Sequence, residues 1–269
     1  MLLPKSPSIR IAGARLEDCL WLHSGVERPA EPMDSGEAYT ENAHLPVGER
    51  RRLSQSELDS ISSSWHWPPT RCISRLKIQD QAIGEMRRLE GTSASNPSSE
   101  QFAVQGLEFW QMLTKSCALS SLGPTQWLGI SSRPSGLRTS TIDSTCGRRI
   151  GLHLDSWDQA PLRERDACRT RLCINLGVRT RSLLFVPYCI AEIVDALRSY
   201  PQVHNANIGG QFCEQYPEAP VLELEIPPGY AYLAPTENLL HDGSSEISPE
   251  YDLTAQWLGY IVHFASPAE

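Results

Sequence analysis

From Gly123-Pro124 onward the chain falls into short runs of β-type composition, at 126–130, 148–155, 171–176, 182–186, 221–226, 230–234 and 253–264, most of them separated by turn residues. Short strands in such number cannot each bury a face alone, so they must close on one another as a barrel or a two-sheet sandwich. One helix interrupts the series, with Ile190, Ile193, Val194 and Leu197 at helical spacing. The expectation is a mainly β fold of jelly-roll type over 121–269, with a helical or irregular support region over 1–120, the two forming one structural domain.

The support region is harder to read. Residues 1–70 are rich in Pro, Ser and charge, with short helical candidates at 15–20 and 55–61. Ala82, Met86 and Leu89 recur at helical spacing over 78–89, and 91–99 reads as a loop. Ser98 followed by Gln101 is a capping-box pattern, and the helix it opens is expected to bury a stripe of Ala103, Leu107, Trp110 and Leu113. No internal repeat is visible.

At 269 residues and 40% hydrophobic content the chain can bury a substantial core. It contains no run of eighteen apolar residues, and its opening residues are too interrupted for a signal-peptide core, so a soluble, cytoplasmic protein without a membrane partner is expected. Eight cysteines (19, 72, 117, 146, 168, 173, 189 and 213) form no Cys-x-x-Cys pair and read as reduced thiols. Charge is uneven. Residues 1–198 carry 24 − 22 = +2, whereas 199–269 carry ten acidic groups and no Lys or Arg. An acidic C-terminal third argues against a nucleic-acid surface and leaves a small molecule as the expected partner. Oligomeric state is not legible.

The sharpest chemical signal is His153 and Asp155 within Gly151-Leu-His-Leu-Asp155. Seven histidines among 32 acidic residues in 269 give about one His-x-carboxylate pair by chance, so placement has to decide. Two residues apart on a strand, both side chains project from one face. His241, beyond Pro227-Pro-Gly229, supplies a second imidazole if a neighbouring strand delivers it; a loop histidine capping the turn at Asp242-Gly243 is the plain alternative. Two imidazoles and a carboxylate on one face of an octahedral ion leave the opposite positions open, an arrangement that suits non-haem iron(II) and O2.

On these residues, on the paired runs Arg171-Leu-Cys-Ile-Asn-Leu-Gly177 and Arg181-Ser-Leu-Leu-Phe-Val-Pro187, and on the Pro-Pro-Gly turn, the chain resembles the iron(II)/2-oxoglutarate-dependent oxygenases over roughly 125–264. The resemblance implies a double-stranded β-helix (cupin-like) core and metal ligation by His153, Asp155 and His241. It also implies Fe(II) as cofactor, 2-oxoglutarate as cosubstrate, O2 as oxidant, and hydroxylation of a small molecule such as an amino acid or natural-product intermediate. Asp155 argues against the halogenase branch, in which the carboxylate gives way to a small residue.

One departure stands out. Most members of that family carry an Arg on the last core strand to grip the far carboxylate of 2-oxoglutarate, and this chain has none there. A buried dicarboxylate needs a cation, and Arg offers a planar fork. Arg171 and Arg181, on earlier strands, are the candidates, with Arg179 third; Thr254 or Ser244 could add a hydroxyl. Asp252 on the last strand suggests an acidic pocket wall suited to an amine. Trp157 and Asp158 follow the ligand pair where substrate would approach, Tyr230 and Tyr232 alternate on a core strand, and Asn238 is a candidate support for the site. His263 reads as a packed or surface residue, and Trp65-His66-Trp67 as a packing or lid element. Two other functions stay open: an iron oxidase or dioxygenase that does not use 2-oxoglutarate, and a non-catalytic jelly-roll binding protein.

Overall fold

The structure, a computed structural model, describes residues 7–30, 38–63, 68–92, 99–199, 202–247 and 250–264. In chain order the strands are β1 (Arg10–Ala12), β2 (Leu20–His23), β3 (Val26–Glu27), β4 (Leu45–Pro46), β5 (Arg50–Arg52), β6 (Cys72–Lys77), β7 (Leu119–Ser121), β8 (Gln126–Arg133), β9 (Thr170–Asn175), β10 (Arg181–Cys189), β11 (Val221–Ile226), β12 (Tyr230–Ala234), β13 (Leu239–Ser244), β14 (Asp252–Gly259) and β15 (Ile261–His263). The helices are α1 (Leu16–Cys19), α2 (Gln55–Ile61), α3 (Asp80–Thr92), α4 (Ser99–Ser116), α5 (Ile190–Ala196) and α6 (Ile208–Gln215).

Two sheets face each other. One has the order β1-β6-β12-β9-β14-β8 and the other β13-β10-β11-β2-β5. From β8 onward the chain crosses repeatedly between them: β9 joins the first sheet, β10 and β11 the second, β12 the first, β13 the second and β14 the first. These strands pair antiparallel throughout. The segment carrying His153 lies beside β13 through the bridge His153↔His241, which completes the second sheet. With the His153 segment standing as the fourth member of the second sheet beside β13, β10 and β11, and β8, β9, β12 and β14 in the first, the two interleaved sheets make a double-stranded β-helix.

Alternation along each strand divides inside from outside. Leu172 and Ile174 of β9, Ala231 and Leu233 of β12, and Ala255 and Trp257 of β14 point outward, into a cluster with Ile83 and Met86 of α3 and Phe109 and Leu113 of α4. Leu184 and Val186 of β10 and Leu240 of β13 pack outward beneath Ile190 and Ile193 of α5 and Phe212 of α6. Leu183, Phe185, Leu222, Leu224, Tyr232, Ala234 and Leu239 form the inner core between the sheets. Fully burying each such large apolar side chain contributes roughly 1.5–3 kcal/mol.

Three expectations change. The helical or irregular support expected over 1–120 also supplies strands: β1 and β6 extend the first sheet and β2 and β5 the second, because an open sheet edge recruits backbone partners that hydrophobic periodicity does not advertise. The buried face of α4 runs through Gly106, Phe109 and Leu113, while Ala103 and Leu107 face solvent. Gly106 sets that rotation, since a Cβ there would lie 2.4 Å from the Cβ of Trp127 on β8. Residues 148–155 form no regular strand; Gly151, at φ +66°, breaks the ladder and leaves isolated bridges. The α2 expectation is met with matching bounds, and Ser54 and Glu57 cap it reciprocally. Trp65-His66-Trp67, the 93–98 loop and the Ser98 cap lie outside the described residues.

Candidate metal centre

His241 sits on β13, with Leu239 and Gly243 on the same inward face. The opposing segment is pinned to it by a two-way backbone exchange, His153 N–H to the His241 carbonyl at 3.0 Å and His241 N–H to the His153 carbonyl at 2.9 Å. On its other side the segment runs against His44, whose carbonyl accepts from the Leu152 N–H at 2.9 Å, and Gly151 allows that contact because a Cβ there would stand 2.4 Å from the same oxygen. The Asp155 N–H then donates to the Thr236 carbonyl, and the Asp155 carbonyl accepts from Arg165 Nη1 at 3.0 Å.

These constraints bring His153, Asp155 and His241 together, one ligand atom of each lying within 4.8 Å of the others. His153 Nε2 is 3.7 Å from Asp155 Oδ1, and His241 Nε2 is 3.6 Å from Asp155 Oδ2. Ligands at right angles about a metal at roughly 2.1 Å stand roughly 3 Å apart, so a small inward movement closes the set. Each imidazole has its other nitrogen engaged: His153 Nδ1 donates to the Gly151 carbonyl at 2.8 Å, and His241 Nδ1 to the Leu239 carbonyl at 3.3 Å. A carbonyl only accepts, so both rings carry the proton on Nδ1 and turn a lone pair on Nε2 toward the shared point.

Electrostatics favour the donor form of His241 and Asp155. Burial pushes the His241 imidazole down to about 3, which keeps it neutral. Burial would raise the Asp155 carboxyl, but the Arg171 guanidinium and then the two imidazoles outweigh it and hold the group well below the usual carboxylate range. For His153 burial works against protonation, yet Asp155, Asp242 and the Gly151 carbonyl together move it upward. Asp155 Oδ2 is buried and accepts no aligned hydrogen bond, although Arg171 Nη2 lies 2.8 Å away as an ion-pair partner. A buried carboxylate beside two converging lone pairs is a place for a cation.

Of the arginines singled out from sequence, Arg171 on β9 sits on Asp155, and its Cζ lies 5.7 Å from the half-exposed ring of Trp157. Arg181 on β10 is buried deeper: Nη1 donates to Cys173 Sγ at 3.0 Å, and Nε is 3.1 Å from Asp252 Oδ1. Gly243 makes room for it, since a Cβ there would be 2.6 Å from Arg181 Nη2. Arg179 is exposed and pairs with Glu250, away from the site. Thr254 faces inward beside Ser131 (2.9 Å) and Gln256 (3.0 Å), whereas Ser244 donates to the Leu137 carbonyl. Asp252, expected as an open acidic wall, is buried against Arg181 and has no free face for an amine. Tyr232 packs in the inner core, and His263 pairs through β15 with β7.

Residues that sequence reasoning passed over hold the frame. Arg165 and Glu237, both without exposed side-chain surface, pair at 2.5 Å. The other Glu237 oxygen accepts the main-chain N–H groups of Trp157 and Asp158, so this pair ties the turn after Asp155 to the loop before β13. Asn238, named from sequence as a candidate support, braces the same loop by bonding the Thr70 carbonyl, Asp166 and the Ile190 N–H. Asp158, Cys168 and Glu237 also bring ligand atoms within 4.8 Å. Their carboxylates are already spent on Arg169, Arg165 and backbone N–H groups, and burial pushes the Cys168 thiol up to about 11.

Among known proteins, no family model matches the chain and no curated protein does. Solved structures of the Kdo hydroxylase KdoO, a non-heme Fe(II) alphaketoglutarate dependent dioxygenase, are similar. The apo form has 14% identity and a TM-score of 0.42, covering 71% of this chain and 80% of that one. The form with alphaketoglutarate and Fe(III) has 13% identity and a TM-score of 0.40 over the same shares.

Proposed function

We propose that the chain is an Fe(II)- and 2-oxoglutarate-dependent oxygenase hydroxylating a C–H bond of a small polar molecule, with His153, Asp155 and His241 holding the iron. The observation that carries this reading is the convergence of two Nε2 lone pairs and one buried carboxylate, with both Nδ1 atoms tied to backbone carbonyls. Iron(II) bound there, with cosubstrate and O2, supplies the oxidising power for the reaction.

The protein's part is to bind, orient and exclude water. Arg181 is the cation assigned to the far carboxylate of 2-oxoglutarate. It stands beside Gly243, two residues along β13 from His241, and two residues of strand span roughly 6.7 Å, about the reach of a five-carbon diacid. Its Nε side is held by Asp252 and its Nη1 by Cys173, which leaves Nη2, beside Gly243, for a carboxylate oxygen. The inner face of β14 and β8 carries Thr254, Gln256 and Ser131 joined by hydrogen bonds, a polar wall suited to a hydroxyl-bearing substrate, with Trp157 at the opening. No helix among the described residues is long and apolar enough to cross a membrane.

A second reading, an iron enzyme that takes its electrons from substrate alone, has one observation behind it: Arg181 already owns a buried counter-ion in Asp252. Anaerobic titration of the Fe(II)-loaded protein with 2-oxoglutarate separates the two. The first reading expects a saturable visible absorption band, weakened about 10- to 100-fold in apparent affinity by Arg181→Ala, the range set by losing a charged hydrogen-bonding partner. Absence of the band at saturating cosubstrate favours the second reading. Failure to bind iron, cobalt or manganese defeats both and leaves a binding protein.

A further inference from the structure

We infer that Arg171 confines Asp155 to single-oxygen ligation and thereby keeps three coordination positions open; the inference rests on the proposed metal centre. An octahedral ion bound by two imidazoles and one carboxylate oxygen has three places left, enough for a chelating cosubstrate and O2. If both carboxylate oxygens bound, only two would remain. What sets the denticity of Asp155 is therefore part of what the site can do.

The geometry points to Arg171 in that role. Both carboxylate oxygens face the shared point, Oδ1 at 3.7 Å from His153 Nε2 and Oδ2 at 3.6 Å from His241 Nε2, and Arg171 Nη2 stands 2.8 Å from Oδ2. The main chain of Asp155 is fixed independently, through its N–H to Thr236 and its carbonyl to Arg165, so neither of those contacts steers rotation of the carboxylate. Arg171 itself is well anchored. It lies on β9 between β12 and β14, in register with Ala234 and Leu258, and its Nη1 reaches Gln256 Oε1 at 3.5 Å. A guanidinium at Oδ2 withdraws that oxygen from a second metal bond and adds positive charge on its side of the ion. Arg171 is thus a positioning residue that acts through Asp155.

Manganese alone serves as the probe. In Mn(II)-loaded protein without cosubstrate, water fills the open positions, and solvent-proton relaxivity counts the exchangeable ones. Wild type is expected to show three. Arg171→Gln should show two, a fall of about one third, with Mn(II) affinity unchanged or tighter because a repelling charge is gone. Arg171→Lys, which keeps a cation for Oδ2, should restore the third.

A role in packing alone would leave the count at three in the Gln variant, and that result overturns the inference, as does a Lys variant that behaves like Gln. Wild type decides even if the Gln chain does not fold, since two exchangeable waters in the native protein overturn it equally. Failure of wild type to bind Mn(II), Co(II) or Fe(II) marks instead a failure of the metal centre itself, and the inference falls with it.

Discussion

Glu237 and Arg165 hold their charges 2.5 Å apart with no side-chain surface exposed, and between them they bind the Asp155 carbonyl and the Trp157 and Asp158 N–H groups. Removing one partner from such a pair leaves an uncompensated buried charge. Glu237→Gln should therefore cost about 3–5 kcal/mol in urea unfolding, whereas replacing both residues with Met should cost far less. Equal losses in the single and double variants would show that the pair does not act as a unit. At this scale His153, Asp155 and His241 were legible as candidate ligands, because His-x-Asp and a distant His form a pattern that chemistry can interpret. Arg165 was not, since it lies in Leu162-Arg-Glu-Arg-Asp166, a run whose composition reads as a solvated face. Asp252 failed for the same reason: a sequence does not say which arginine will sit against an acid.

At the scale of elements, the outer face of the second sheet is tied together by Glu223 of β11, which accepts from Ser182 of β10 at 2.7 Å, contacts His23 of β2 at 2.9 Å and pairs with Arg50 of β5. Burial works against its ionisation, but His23, Arg50 and Ser182 outweigh it and lower Glu223 to about 2 from an ordinary 4.5. A carboxyl lowered in the folded state stabilises the fold above its unfolded value and loses that contribution as pH falls through its folded value. Glu223 should thus add up to about 3 kcal/mol above pH 4.5 that drains away toward pH 2. Glu223→Gln should narrow the difference between urea midpoints measured at pH 7 and pH 3, and an unchanged difference would refute the assignment. Helices were legible wherever apolar spacing was regular, as in α3 and α5. The face of α4 was misjudged because residue 106 has no side chain to enter a hydrophobic pattern, yet its closeness to Trp127 decides the rotation of the helix.

For the molecule as a whole, the candidate metal centre lies on the second sheet, where the segment carrying His153 and Asp155 is bridged to His241 of β13, and Arg171 of β9 reaches it from the first sheet. An ion held there stabilises the folded chain by mass action. Mn(II) or Co(II) at 100 times its dissociation constant should add about 2.7 kcal/mol and raise Tm by roughly 5 °C, reversibly with a chelator. His241→Ala should abolish the rise, and an equal rise in that variant would place the ion elsewhere.

Composition and periodicity alone established that strands would dominate after residue 123 and that a few helices would pack on them, and the His-x-Asp pair with a distant His named three candidate metal ligands. Those properties are local, fixed by residue type and by spacings of two or three to four. The two-sheet exchange of strands, the recruitment of β1, β2, β5 and β6, the commitment of Arg171 to Asp155 and of Arg181 to Asp252, and the approach of His153 to His241 across 88 residues were decided only by the tertiary structure. Each depends on which distant backbones and charges share one buried volume, and sequence spacing carries no measure of that.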